Sequence, residues 1–292
     1  MTVTEEAPTR SVPTRRISFE YSIADLPKHF AADDDIIMSH IIASLSSVFP
    51  DGEDFFVRSV RNFRDQIDDP ELKEQVKGFI GQEAIHGREH RQFNARLDEL
   101  GYPSKRIERF TDMGLRFRER VLPAKANLAA TAALEHYTAT LAHTLLTKPE
   151  ARDMIAHDEV RNLFVWHALE ESEHKAVAFD VYRHVGGTER MRKITMTIFN
   201  IGFPLGIALM ALLSMLRDPV ARRSPRKVWR SFKRLRHTPF VSRDIIAQLH
   251  DYQRSDFHPD DHPTDDLVAE WRDELFGESG SLSDRLPASR AS

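Results

Sequence analysis

Two Glu-x-x-His quartets, Glu83-Ala-Ile-His86 and Glu171-Ser-Glu-His174, sit in long stretches whose apolar residues recur at helical spacing. On a helix, positions i and i+3 are neighbours on one face, so each quartet offers a carboxylate and an imidazole to one ion. A single quartet is a common accident of a solvated helix face. Two of them on two long helices match the way four-helix bundles hold a pair of metal ions, provided that each of the other two helices adds a glutamate.

The pattern is helical from about Asp33 to His184, with almost no apolar/polar alternation. Asp33-Asp34-Asp35 precedes an apolar helix that ends near Val48, and Pro50-Asp51-Gly52 reads as a break before a new helix over about 53–67. Asp68-Asp69-Pro70 is a stop and restart signal, with Pro70 near the first helical position. Further helices are expected over about 70–99, 106–120, 124–146 and 159–184, the last ending at Gly186-Gly187. The expected fold is all-α: a ferritin-like four-helix bundle over 17–188 with additional helices, then an apolar segment plus basic stretch over 189–236, then a C-terminal helical extension over 237–277. Residues 1–16 and 278–292 read as disordered tails.

The glutamates stand at matching heights. The first hairpin turns near residue 68, with Glu53 fifteen residues before it and Glu83 fifteen after. Antiparallel helices rising about 1.5 Å per residue bring those carboxylates level. The second hairpin turns near residue 153, with Glu135 eighteen residues before it and Glu171 eighteen after. Glu135 lies in Ala-Thr-Ala-Ala-Leu-Glu-His, and a carboxylate buried among such small apolar neighbours needs a partner. Four carboxylates and two neutral imidazoles balance two divalent cations; without the cations the buried acids repel and resist ionisation. The expected metal ligands, which also form the reacting centre, are Glu53, Glu83, His86, Glu135, Glu171 and His174. His167, four residues before Glu171, and His90, four after His86, share those faces, each as an extra ligand or as a hydrogen-bond donor behind one. His136 must point elsewhere, and Glu170 and Glu173 fall off the ligand face and are expected in solvent.

No cysteine occurs in the 292 residues, which excludes disulfides, thiolate zinc sites and iron–sulfur clusters. Any metal must be held by His, Asp and Glu. Such a donor set suits two iron ions, with manganese or zinc as alternatives. The formal net charge of −4 argues against a generic polyanion binder. The first 16 residues lack the apolar core of a signal peptide, so a cytoplasmic location is expected.

The runs Phe-Pro-Asp-Gly-Glu-Asp-Phe-Phe (49–56), Gln-Glu-Ala-Ile-His (82–86), Ala-Leu-Glu-His-Tyr-Thr (133–138) and Trp-His-Ala-Leu-Glu-Glu-Ser-Glu-His-Lys-Ala-Val-Ala-Phe-Asp (166–180), with Asp-Phe-His-Pro (256–259), resemble the bacterial family described as predicted metal-dependent hydrolase. The resemblance covers roughly residues 18–275. The ligand pattern is also similar to that of ferritin-like di-iron oxygenases of the p-aminobenzoate N-oxygenase type, where an additional histidine joins the usual set. That resemblance implies seven ligands here: Glu53, Glu83, His86, Glu135, His167, Glu171 and His174. It carries no substrate over, since the match is confined to the ligand pattern.

The expected activity is oxidation of a small or hydrophobic substrate by dioxygen at a di-iron centre, with electrons from an external donor. The alternative is a metal-dependent hydrolase whose paired ions activate water; a further one is non-catalytic iron binding. The oligomeric state is left open, a homo-oligomer included. Residues 194–216 carry no charged side chain and are long enough to span a bilayer, but Gly202, Pro204 and Gly206 predict a bend. Residues 217–236 hold nine Lys/Arg against one Asp. With Trp229 and Phe232 among them, they suit an anionic membrane surface and a lipid-like substrate at the inner face of the membrane. Nucleic acid is not an expected partner, because no recognition motif accompanies the basic run. His250, His258 and His262 cluster with Asp256, Asp260 and Asp261, where Pro259 and Pro263 favour a capped turn over a second metal site.

Overall fold

A computed structural model describes residues 11–19 and 23–286. The fold is all-α, as expected; among the described residues the only β pairing is one bridge between Ala31 and Ile155. The helices are α1 (Ile36–Arg61), α2 (Pro70–Glu99), α3 (Ser104–Val121), α4 (Ala124–Thr147), α5 (Pro149–Arg152), α6 (Asp158–His174), α7 (Val177–His184), α8 (Glu189–Met215), α9 (Pro219–Arg223), α10 (Pro225–Leu235), α11 (Arg243–Asp251) and α12 (Asp265–Phe276). A four-helix bundle is built from α1, α2, α4 and α6, with α7 continuing α6. Around it, α3 and α10 lie on α1, α8 lies on both α1 and α4, α11 on α4, and α12 on α6.

The acidic punctuation works as capping. Asp35 accepts from the Met38 N–H, and Asp69 accepts from the Glu71 and Leu72 N–H groups with Pro70 in the first turn. Gly101, at φ +88°, lets the chain leave α2 through the left-handed region.

Pro50 does not break the first helix, contrary to expectation: α1 runs unbroken across it. Proline lacks the N–H that would bond the carbonyl four residues back, that of Ser46. Asn94 of α2 supplies the missing donor, its Nδ2 lying 3.1 Å from the Ser46 oxygen. The expected helix over 159–184 is divided instead, at Lys175 and Ala176. That break turns the buried Lys175 side chain to donate to the His262 carbonyl, and it makes His174 the last residue of α6. Residues 194–216 are not interrupted at Gly202, Pro204 or Gly206 either. α8 is continuous through Pro204, held by packing against α1 and α4.

The apolar core is in two parts. One gathers Met38 and Ile42 of α1, Phe93 and Leu97 of α2, Leu145 of α4, and Leu163 and Trp166 of α6. The other gathers Phe55 and Val60, Phe79, Leu128 and Ala132, and Val181 of α7. The carboxylates and imidazoles of interest lie along the bundle helices where the two parts meet, so the polar site is a layer within the bundle.

Both sequence tails are shorter than expected. Val12 and Thr14 lie directly on Gly78 and Gly81 of α2, where any side chain would collide with them. Leu282 is fully buried in the core, and Arg285 pairs with Glu159. The disorder expected of residues 1–10 and 287–292 concerns positions outside the described residues. The late histidines form a turn: His258 caps Pro259–Asp261 and its Nε2 reaches Asp180 at 2.8 Å.

Candidate metal centre

Each bundle helix contributes to one buried cluster: Glu53 from α1, Glu83 and His86 from α2, Glu135 from α4, and His167, Glu171 and His174 from α6. Each is at most 4% exposed. Their atoms fall into two groups. Glu53, His86 and His167 bring one ligand atom each within 4.8 Å of one another, and so do Glu83, Glu171 and His174. Glu135 joins the second group, with Oε2 3.3 Å from His174 Nε2.

The glutamates of the two quartets lie between the groups rather than serving one ion apiece. Glu171 Oε1 is 2.8 Å from His167 Nε2 and 3.9 Å from His86 Nδ1, while its Oε2 is 3.7 Å from His174 Nε2. Glu83 likewise sends Oε1 to within 3.1 Å of His174 Nε2 and Oε2 to within 3.9 Å of His86 Nδ1. Ligands that bind a common ion at about 2.0–2.2 Å stand roughly this far apart. Both oxygens of Glu53, Glu83 and Glu135, with His86 Nδ1 and His174 Nε2, are buried without a hydrogen bond. So many unpaired buried acceptors in one layer are costly unless a cation satisfies them.

Every histidine in the cluster has its other nitrogen engaged. His86 Nε2 lies 3.0 Å from Glu170 Oε2, and Glu170 is held by Arg15 at 2.9 Å. His174 Nδ1 donates to Gln82 Oε1 at 2.8 Å, and Gln82 donates to Glu173, which Arg15 and Arg272 also hold. His167 Nδ1 meets His90 Nε2 at 2.7 Å, and His90 Nδ1 meets Ser46 Oγ at 2.8 Å. The direction of that chain follows from Asn94, whose Nδ2 donates to both the Ser46 carbonyl and Glu108. Its Oδ1 must therefore accept from the Ser46 hydroxyl, 2.7 Å away. Ser46 then accepts from His90 and His90 from His167, which leaves the His167 Nε2 lone pair facing the cluster. Outer partners that fix the tautomer in this way are the usual companions of metal-binding histidines.

Electrostatics also call for cations. Burial first, then the neighbouring Glu83, holds Glu53 well above the carboxylate range. Burial and Glu135 push Glu83 up to about 8, and burial and Glu171 push Glu135 up to about 7. Glu171 goes the other way: burial opposes its charge, but the imidazoles of His167 and His174 beside it prevail and hold it well below the usual range. His86 is depressed by burial and by His167. His174 resists burial through its close contacts with Glu135, Glu171 and Glu83, which hold it well above the usual imidazole range. In the metal-free chain, protons thus do the neutralising that two cations would do.

The family model for predicted metal-dependent hydrolases matches residues 13–263. The chain belongs to that family. No curated protein and no solved structure matches the chain. Family membership and the buried His/Glu groups together support metal dependence, and neither names the metal.

Among the other residues singled out in the sequence, His90 stands behind His167, not in the cluster. His136 points away and bonds the Gln248 carbonyl at 2.9 Å. Glu170 and Glu173 are not in solvent: both are buried, because residues 11–19 and α12 cover that face of α6 and bring Arg15 and Arg272. Spacing within α6 carries no sign of that cover. Another group, His29, His40 and Asp218, is crowded by a cation, Lys28 Nζ, 3.3 Å from Asp218 Oδ1. His40 also bonds Ser214 at 2.8 Å, so this group ties α1 to the end of α8.

A chamber of about 350 Å³ reaches the cluster at His167 and Glu171. Its wall is mostly aliphatic and aromatic, with Met38, Ile42, Leu45, Phe49 and Leu141 among its residues. Thr138 lies at its inner end and donates to Glu171 Oε2.

Proposed function

We propose that this chain is a dinuclear metal enzyme that hydrolyses a hydrophobic substrate in the chamber beside Glu171. One observation carries the reading: seven buried N and O donors from all four bundle helices converge, and most of their inward atoms have no other partner. Hydrolysis is favoured because the matched family is described as metal-dependent hydrolases. Two divalent ions held there would supply a Lewis acid and a water of lowered pKa. The chain's own residues do the rest. Thr138 fixes the orientation of Glu171, Glu170 and Gln82 hold the imidazoles of His86 and His174, and the apolar wall excludes bulk water from the reacting bond.

A second reading, dioxygen-dependent oxidation at paired iron, is favoured by the donor set. Four carboxylates and three imidazoles with Glu-x-x-His on two helices suit iron, and an external electron donor would then be required. The two readings part on oxygen. Protein reconstituted with zinc, manganese or iron is offered a medium-chain p-nitrophenyl ester with air excluded. Turnover that is metal-dependent and indifferent to air supports hydrolysis. Absence of ester turnover with every metal, with oxygen consumed by the reduced iron form, overturns it in favour of oxidation.

A further inference from the structure

The chamber that ends at His167 and Glu171 opens beside α8, and the two faces of that helix differ in an informative way. Its inner face supplies Phe203, Pro204 and Ile207 to the chamber wall. Its outer face presents Ile198, Ile201, Leu205, Leu209 and Leu212, each more than half exposed. Of its most apolar 18-residue window only 11% is buried, so α8 is not a core helix. Next to it, the Arg118 guanidinium of α3 sits over the Phe199 ring of α8, and α3 exposes Phe110, Met113 and Phe117. Soluble chains rarely leave so much apolar side chain uncovered without a partner.

The basic run adds the complementary charge. α10 carries Arg226, Lys227, Arg230 and Lys233 around Trp229 and Phe232, whose rings stack at 5.7 Å and are both exposed. A cationic helix with exposed aromatics suits the headgroup region of an anionic leaflet. Leu235, the last residue of α10, and Phe240 and Val241 just beyond it also line the chamber. The rim, marked by the exposed Pro204 and Val241, is therefore made by the apolar and the basic elements together, while the far end holds the buried His167 and Glu171.

We infer that α8, α3 and α10 seat the protein on an anionic bilayer leaflet, and that the chamber takes a single-chain amphiphile from that leaflet, its polar head at Glu171 and its chain along the apolar wall. α8 lies in the plane of the leaflet and does not cross it, because it packs on α1 and α4 and is buried near both ends, at Thr195 and Met196 and at Ala211 and Ser214. The chamber is within the roughly 300–1,000 Å³ usual for ligand sites. The inference rests on the proposed reaction only for what happens to the head group.

Flotation with phosphatidylcholine vesicles, with and without phosphatidylglycerol, tests the seat. Wild-type protein is expected to float with both and far better with the anionic ones. Leu205→Asp/Leu209→Asp should abolish flotation and leave bound metal unchanged. Arg226→Gln/Lys227→Gln should lower partitioning onto the anionic vesicles about thirtyfold, the loss of two basic contacts, and leave the neutral ones unaffected. Uptake of dansyl-labelled undecanoic acid by metal-depleted protein tests the chamber. Ala142→Trp, or Ile41→Trp at a half-buried wall position if the first does not fold, should abolish uptake and preserve flotation. Wild-type protein that ignores both vesicle types overturns the inference, as does fatty-acid uptake that neither tryptophan alters. A detergent-free dimer that Leu205→Asp/Leu209→Asp converts to monomer assigns the apolar face to a second copy and overturns it too. Neither readout needs turnover, so failure of the proposed hydrolysis leaves both results intact.

Discussion

Glu135 and Glu173 separate the residues that face the cluster from those that stand behind it. Both are buried carboxylates, but Glu135 has no hydrogen bond and lies 3.3 Å from His174, whereas Glu173 is satisfied by Arg15, Arg272 and Gln82. Glu135→Ala is expected to empty the Glu83–Glu171–His174 position. Glu173→Gln should weaken metal binding by only about 10–100-fold, the effect of a lost outer partner. Equal metal loss on elemental analysis of the two variants would contradict this. The raised acids give a pH signature as well. A carboxyl whose folded pKa lies above its ordinary 4.5 contributes stability that is lost as pH rises through the folded value, about 8 for Glu83 and about 7 for Glu135. His174, also raised, acts in the same direction, and Glu171, held low, does not titrate in that window. Metal-free protein should therefore melt at lower temperature as pH goes from about 6.5 to about 8, above the range in which the depressed His86 and His90 act in the opposite sense, while the metal-loaded form changes less. A metal-free melting temperature that rises over that window refutes the assignment. The inward residues were readable from spacing, since helical period and hairpin height are local arithmetic. Their outer partners were not: Arg15, Gln82, Glu170 and Asn94 act through contacts that the fold alone creates.

At the scale of elements, the unbroken α1 is the instructive misreading. Pro50-Asp51-Gly52 is a sound stop signal in an isolated helix, and it fails here because Asn94 of α2 bonds the carbonyl that Pro50 leaves free. The same asparagine orders the chain of hydrogen bonds behind His167. Asn94→Leu is expected to destabilise the fold by about 1–3 kcal/mol, the cost of an unpaired buried polar group. In a Pro50→Ala background the Ser46 carbonyl regains a helical donor, so part of that loss should be recovered. Denaturant unfolding of both single variants and the double variant measures the coupling, and strictly additive losses would show that the carbonyl is not the link. The division of α6 from α7 is accompanied by an equally non-local contact, since Lys175 at the break reaches the His262 carbonyl across the molecule. By contrast Asp35, Asp69 and Gly101 act within their own turns, and the ends they mark agree with the sequence reading.

For the whole molecule, two apolar cores with a polar layer where they meet explain why the bundle tolerates the four glutamates of the cluster: the layer is where the cations belong. The bundle was legible in the periodicity; the chamber was not, because its wall is assembled from helices far apart in sequence. The layer also couples metal to stability. Ions that bind only the folded chain should raise the melting temperature, and a chelator should lower it, more strongly at neutral than at acid pH. The most direct measurement is a metal count on the purified chain. Metal-depleted protein titrated with ferrous, manganous or zinc ion under anaerobic conditions, then desalted and analysed, should retain about two ions per chain. Glu171→Ala, which removes the carboxylate lying between the two positions, should retain fewer than one. A wild-type chain that retains none, or whose metal content is the same with and without Glu171, would contradict a dinuclear centre in this bundle.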